Sequence, residues 1–142
     1  WTQRASSNPH NVTYAIRSRR LQSVVGTFSL TRVDTDNGSA EIASIWCGAS
    51  ARGTELVPST VHLVLSHLFD QLRYRRVVWK CDVTNVASRR AAEKMGFTYE
   101  GTFRKHMFIR NRSRDTAWYA VIDNDWPTAA ATLDRRIRAK RP

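Results

Sequence analysis

Two places in the sequence set a helix start directly after a strand and beside positive charge, and that is how an anion site is built. One follows Arg52-Gly53-Thr54; the other opens at Asn85 and carries Arg89 and Arg90. The first turn of a helix leaves its N–H groups unpaired and concentrates a partial positive charge, so either terminus could receive a phosphate. The arrangement has low specificity by itself, because an ordinary strand-to-helix connection has the same parts. The second place is bounded more sharply. Asn85 can accept a hydrogen bond from the first turn, and Gly96 can adopt the left-handed conformation that closes the last. Cys47 and Cys81 show no metal-ligand spacing, so no metal site is expected, and two cysteines make a poor disulfide framework. Both are expected as reduced core thiols.

The elements that must position these residues follow from periodicity. V-T-Y-A-I-R at 12–17 and S-V-V-G-T-F-S-L-T-R at 23–32 alternate as strands and predict a hairpin. The turn signal D-T-D-N-G at 34–38 leads to a third strand at 41–47. Val61, Val64, Leu65, Leu68, Phe69 and Leu72 share one face of a helix expected to start near Pro58 or Ser59. A strand at 75–83, the capped helix at 86–95, and strands at 97–109 and 115–122 around an R-N-R-S-R turn complete the pattern. Residues 1–11 read as a loop or as the frayed end of something missing. Residues 128–142 form a basic tail, expected as a short amphipathic helix or a disordered segment, behind a single domain at 1–127.

The chain has 142 residues, 42% of them apolar, which suits one core. Its 23 basic and 12 acidic residues give a net charge of +11. A polyanionic partner is implied, whether nucleic acid, an anionic membrane or a phosphorylated small molecule. No apolar run approaches the roughly 20 residues of a membrane span and no signal peptide is visible, so a soluble, cytoplasmic protein is expected. The glycosylation-like triplets at Asn11, Asn37 and Asn111 are then chance matches. Because the chain starts at Trp1 rather than Met, an amino-terminal segment is expected to be absent.

The most specific stretch is N-x-x-S-R-R-A-A-E-K-x-G-F-x-x-E-G-T-F-R at 85–104, preceded by W-K-C-D at 79–82 and followed by R-D-T-A-W-Y at 114–119. In these motifs the chain resembles the GNAT superfamily of N-acetyltransferases. Within it, the branch of ribosomal-protein acetyltransferases (RimJ/RimL type) is the most similar, and the resemblance runs from Tyr14 to Pro127. It implies an α/β (α+β) fold: a mixed, mostly antiparallel sheet splayed between the family's fourth and fifth strands, here 41–47 and 76–83, and flanked by helices. The family's amino-terminal strand and helices are expected to be missing here. The pantetheine arm of acetyl-CoA would lie in the gap like an added strand, against the backbone of Ile45, Trp46 and Cys47. The pyrophosphate would rest on the loop carrying Arg52, Gly53, Thr54, Leu56 and Val57. The family's usual pattern there is Arg/Gln-x-x-Gly-x-Gly/Ala. This chain has R-G-T-E-L-V, placing Glu55 and Val57 where small residues are usual. A carboxylate beside a pyrophosphate repels it unless it points away.

By the same resemblance Asn85 contacts the coenzyme, and Arg89 and Arg90 approach its phosphates or remain a solvated helix face. Many members place a tyrosine seven residues after the asparagine to protonate the leaving thiolate; position 92 here is Ala, and Ser88 stands where the RimJ/RimL branch has its proposed donor. Direct attack of an amine on the thioester also needs a base. Glu41 is the first choice, with Asp115 and His106 as runners-up. The implied activity is transfer of acetyl from acetyl-CoA to a primary amine: a peptide or protein α-amine, a polyamine or a small amine. The rival reading is a catalytically weak module that contacts RNA or the ribosome through its basic tail. No membrane partner is expected, and monomer and homodimer stay open.

Overall fold

A computed structural model describes residues 11–140; the expected loop before Asn11 lies for the most part outside the described residues. β1 (Val12–Ser18), β2 (Ser23–Asp34) and β3 (Ser39–Cys47) form an antiparallel meander. α1 (Leu56–Ser66) follows a short 3₁₀ turn at Ala49–Ala51 and runs on through a π turn at His67–Gln71. Then come β4 (Arg76–Asp82), α2 (Val86–Lys94), β5 (Thr98–Ile109), β6 (Arg112–Ile122) and α3 (Trp126–Arg138). The six strands form one sheet in the order β1-β2-β3-β4-β6-β5, antiparallel except where β3 meets β4.

That parallel junction is short. It pairs Ser39–Ile42 with Arg76–Trp79 and stops, while β3 continues to Cys47 and β4 to Asp82. The strands part where β3 carries a bulge. Thr27 pairs with Trp46 and Ser29 with Ala43, leaving Ser44 and Ile45 opposite Phe28, and Ser44 takes a left-handed φ of 50°. An extra residue on one strand bends and re-aims it, and a non-glycine residue in this conformation is strained.

Two expectations need correction. The helix expected from Pro58 or Ser59 begins at Leu56, with Pro58 buried within its first turn, where a proline costs no hydrogen bond. The five-residue turn expected at 110–114 is a two-residue hairpin turn: Ile109 pairs with Arg112, and Arg110 and Asn111 take φ of 49° and 63°. Two successive left-handed residues make the turn whose twist suits a tight hairpin. Arg112 and Arg114 therefore stand on a strand.

Of the two readings of the carboxy-terminal segment, the amphipathic helix is what forms. Ala129, Leu133 and Ile137 of α3 are buried, Trp126 Nε1 donates to Asp70 Oδ1 at 2.8 Å, and the Trp126 ring stacks on Phe69 at 5.5 Å. Gly96 ends α2 with φ +88°, and a Cβ there would meet Ala129 Cβ at 2.9 Å. The glycine thus serves both the left-handed cap and the close approach of α3.

Candidate active site

The parting of β3 and β4 opens a groove of about 650 Å³. Ile45 and Cys47 of β3, the loop 52–54 with Val57, and α2 from Asn85 onward line it. The Asn85 side chain caps α2 by accepting from Ser88 N–H at 3.0 Å. Gly53 is left-handed at φ +76°, and Thr54 closes the loop, its hydroxyl donating to Ala51 O at 2.9 Å and accepting from Leu56 N at 3.2 Å. Five cations reach the same groove: Arg52, Arg90, Lys94, Arg136 and Lys140. Lys140 Nζ donates to Gly53 O at 2.6 Å and ties the end of α3 to the loop. Arg136 Nε is buried without a hydrogen-bond partner. Glu55 is not among the residues that line the groove.

Of the residues expected at the coenzyme, Ile45, Cys47, Arg52, Gly53, Thr54, Val57, Asn85, Ser88 and Arg90 line this groove. Trp46, Leu56 and Arg89 do not. Leu56 packs against the core, Trp46 is exposed, and Arg89 turns to the sheet, where its guanidinium donates to Tyr119 Oη at 3.2 Å and Val83 O at 3.4 Å. The bond to Tyr119 raises the Arg89 pKa, and burial raises that of the Tyr119 phenol. Arg136 and Lys140 were hidden from sequence reasoning because their place depends on how α3 docks, and the basic run alone read as a tail.

Ser88 Oγ accepts a hydrogen bond from Trp79 Nε1 at 3.0 Å. Trp79 is buried on β4, edge-on to Phe97 at 5.6 Å. The serine oxygen is thus held from below, and its own proton is left to donate into the groove. On the far side of Ser88 a second cavity of about 280 Å³ continues, sharing Ile45, Trp79, Asn85 and Ser88 with the groove and adding Lys80, Asp82 and Arg114. Asp82 is the carboxylate among its lining residues. Its pKa is lowered first by the hydrogen bond from the Thr84 hydroxyl (2.7 Å), then by the Thr84 backbone N–H (2.9 Å) and the field of Arg114. The three residues expected as bases sit elsewhere. Glu41 Oε2 is ion-paired with Lys80 at 2.6 Å and Arg32 at 3.4 Å. Asp115 Oδ1 accepts from Lys105 N–H at 2.7 Å, holding a bulge in β5. His106 Nδ1 lies 3.0 Å from Thr116 Oγ1, its ring edge-on to Phe103 and Trp118.

A split sheet, an interior groove open to an extended ligand, and a helix terminus with cations at the groove together make the split-sheet architecture of an acetyltransferase-type domain. A family profile described as an acetyltransferase (GNAT) domain matches residues 1–98, and the chain belongs to that family. The ribosomal-protein-serine acetyltransferase of Escherichia coli (strain K12) is 29% identical over 102 residues, which is 71% of this chain and 56% of the relative. The crystal structure of a GCN5-related N-acetyltransferase from Brucella melitensis has a TM-score of 0.89 at 37% identity, covering 95% of this chain and 61% of that one. A spermidine N-acetyltransferase (SpeG F149A mutant) from Vibrio cholerae, at 17% identity and a TM-score of 0.73 over 87% of this chain and 72% of that one, shares the fold. The chain spans little more than half the length of the curated relatives it matches.

Proposed function

We propose that this chain carries the donor site of an N-acetyltransferase that moves an acetyl group from acetyl-CoA to a primary amine by direct attack. The observation that carries the reading is the Ser88 hydroxyl, held by an indole N–H, in a groove that the loop 52–54 and five cations also line. Acetyl-CoA would supply the thioester that is attacked. The residues fit it: β3 offers an unpaired backbone edge at 43–47, α2 walls the groove, and loop 52–54 with Arg90, Lys94, Arg136 and Lys140 faces the phosphate end. Ser88 donates its proton to the departing sulfur, with Trp79 fixing its oxygen. Asp82, with its pKa lowered, lines the same cavity as Ser88; in this reading it attracts the acceptor's ammonium and receives its proton. Glu41, Asp115 and His106 act in this reading through ion pairs and strand packing.

The RNA-binding alternative drew on the basic tail. Arg136 and Lys140 now have a use at the groove, and Leu133 and Ile137 bind the same helix to the core. Two of the tail charges that motivated that alternative therefore also support the donor site. Calorimetric titration with acetyl-CoA, paired with a thermal melt, tests the proposal. Saturable binding is expected, with roughly 2.7 kcal/mol of stabilisation at one hundred times the dissociation constant. No binding at millimolar ligand would overturn it.

A further inference from the structure

The passage beyond Ser88 does not end at Asp82. Asp82 and Arg114 also line a third cavity of about 520 Å³, which opens at the β5–β6 turn between Arg110, Arg112 and Asp115. The three cavities therefore run in series, from the cationic rim of the groove, past Ser88, to the hairpin turn.

Charge is ordered along the outer half of this passage. Asp82 and Arg114 line both the cavity that holds Ser88 and the outer one, whereas Arg110 and Arg112 line only the outer one. Their partners show which of these charges are free. Lys80 is taken up by Glu41, and one oxygen of Asp115 by the Lys105 N–H. Arg114 Nε approaches Asp82 Oδ2 at 3.4 Å, a charge contact, yet is buried with no hydrogen bond made. The rest of the side chain keeps 27% of its surface exposed, so a ligand carboxylate can meet the guanidinium there. The side chains of Arg110 and Arg112 make no hydrogen bond or ion pair among the described residues, the Arg112 charge acting on Asp82 only at longer range, and both line the outer cavity. A cationic amine followed by anionic groups matches this order. A polycation matches less well, since beyond Asp82 the outer cavity sets three guanidiniums against the single carboxylate of Asp115. The size and open mouth of the outer cavity suit a chain that continues past the amine.

We propose that the passage from Ser88 to the β5–β6 turn is the acceptor channel and that it selects the α-amine of a peptide whose next few residues are acidic. Asp82 holds the ammonium, Arg114 meets the first carboxylate, and Arg110 and Arg112 meet those that follow. The proposal rests on the donor-site reading for its chemistry, but the channel's selectivity is measurable without turnover.

The test is binding of three fluorescently labelled probes of equal length, each with a free amino terminus. One carries Asp and Glu at its second to fourth positions, one Ser, and one Lys. The acidic peptide is expected to bind about tenfold or more tightly than the lysine peptide, with the gap narrowing as salt rises. Arg110→Gln with Arg112→Gln, both at exposed positions, is expected to remove most of the preference. Spermidine should not displace the acidic probe at concentrations where the unlabelled acidic peptide does. Equal binding of the three peptides, or a preference that survives both substitutions, would overturn the proposal. Acetyl-CoA titrated separately reports on the donor site, so loss of one reading leaves the other decided on its own data.

Discussion

Ser88 shows how much one hydroxyl depends on what holds it. A serine at the start of a helix normally bonds back to its own turn. Here Asn85 performs the capping, so Ser88 is released to face the groove while Trp79 fixes its oxygen. Ser88→Ala is expected to lower kcat by about 10²-fold with little change in acetyl-CoA binding, the range for loss of a proton donor. Trp79→Phe keeps the ring and removes the N–H, and should lower kcat by a smaller factor. On a Ser88→Ala background it should cost nothing further, because a residue that acts through another has no separate effect. Additive losses in steady-state rates would show that the indole acts independently of the serine. Asp82 belongs to the same scale and was quoted in the W-K-C-D motif without a role. The role proposed for it rests on β4 passing beyond its pairing with β3 and on Arg114 of β6 standing beside it.

At the scale of elements, the strands and both sequence-readable helices were legible because their apolar periods are long and their ends are punctuated. Asn85 and Gly96 fixed α2 to within a residue. The R-N-R-S-R turn was misread because five polar residues resemble a loop, whereas two of them suffice for a left-handed turn and the rest alternate on a strand. The bulge at Ser44 carries no sequence signal, since a serine in a strand gives no hint of a left-handed conformation. The residues expected at the coenzyme divide in the same way: those fixed by local pattern, such as Gly53 and Asn85, line the groove, whereas Arg89, judged only by its charge, turns to Tyr119. Gly96→Ala should destabilise the fold by roughly 2 kcal/mol, from left-handed strain together with contact against Ala129, and lower the melting temperature accordingly. An unchanged melt would mean that α3 can shift away from α2 freely.

For the whole molecule, the net charge of +11 was legible at once and its purpose was not. The fold divides much of that charge between the two ends of one passage: Arg52, Arg90, Lys94, Arg136 and Lys140 at the donor end, Arg110, Arg112 and Arg114 at the other. Two carboxylates are held ionised against this background. Glu100 is lowered first by its hydrogen bonds from Arg76 (Nη1 to Oε1, 2.7 Å), and Asp82 by Thr84. Depressed carboxylates stabilise the fold above their ordinary pKa of about 4, and that contribution is lost as pH falls through their lowered values. Thermal melts should therefore weaken steadily below about pH 4, and Glu100→Gln should flatten part of that slope. A slope unaffected by the substitution would assign the acid sensitivity to other groups.

The four-pair junction between β3 and β4 has a further consequence. Unpaired strand edges usually invite other chains, and proteins blunt them with charge, bulges or cover. This sheet keeps such an edge at 43–47 inside a wedge, closed at one end by Ile42 and Trp79 and bordered by all three helices. A slender extended molecule can enter and pair there, whereas a strand flanked by the rest of its own sheet cannot. Splitting the sheet from within thus leaves a hydrogen-bonding template open to a ligand and shielded from aggregation.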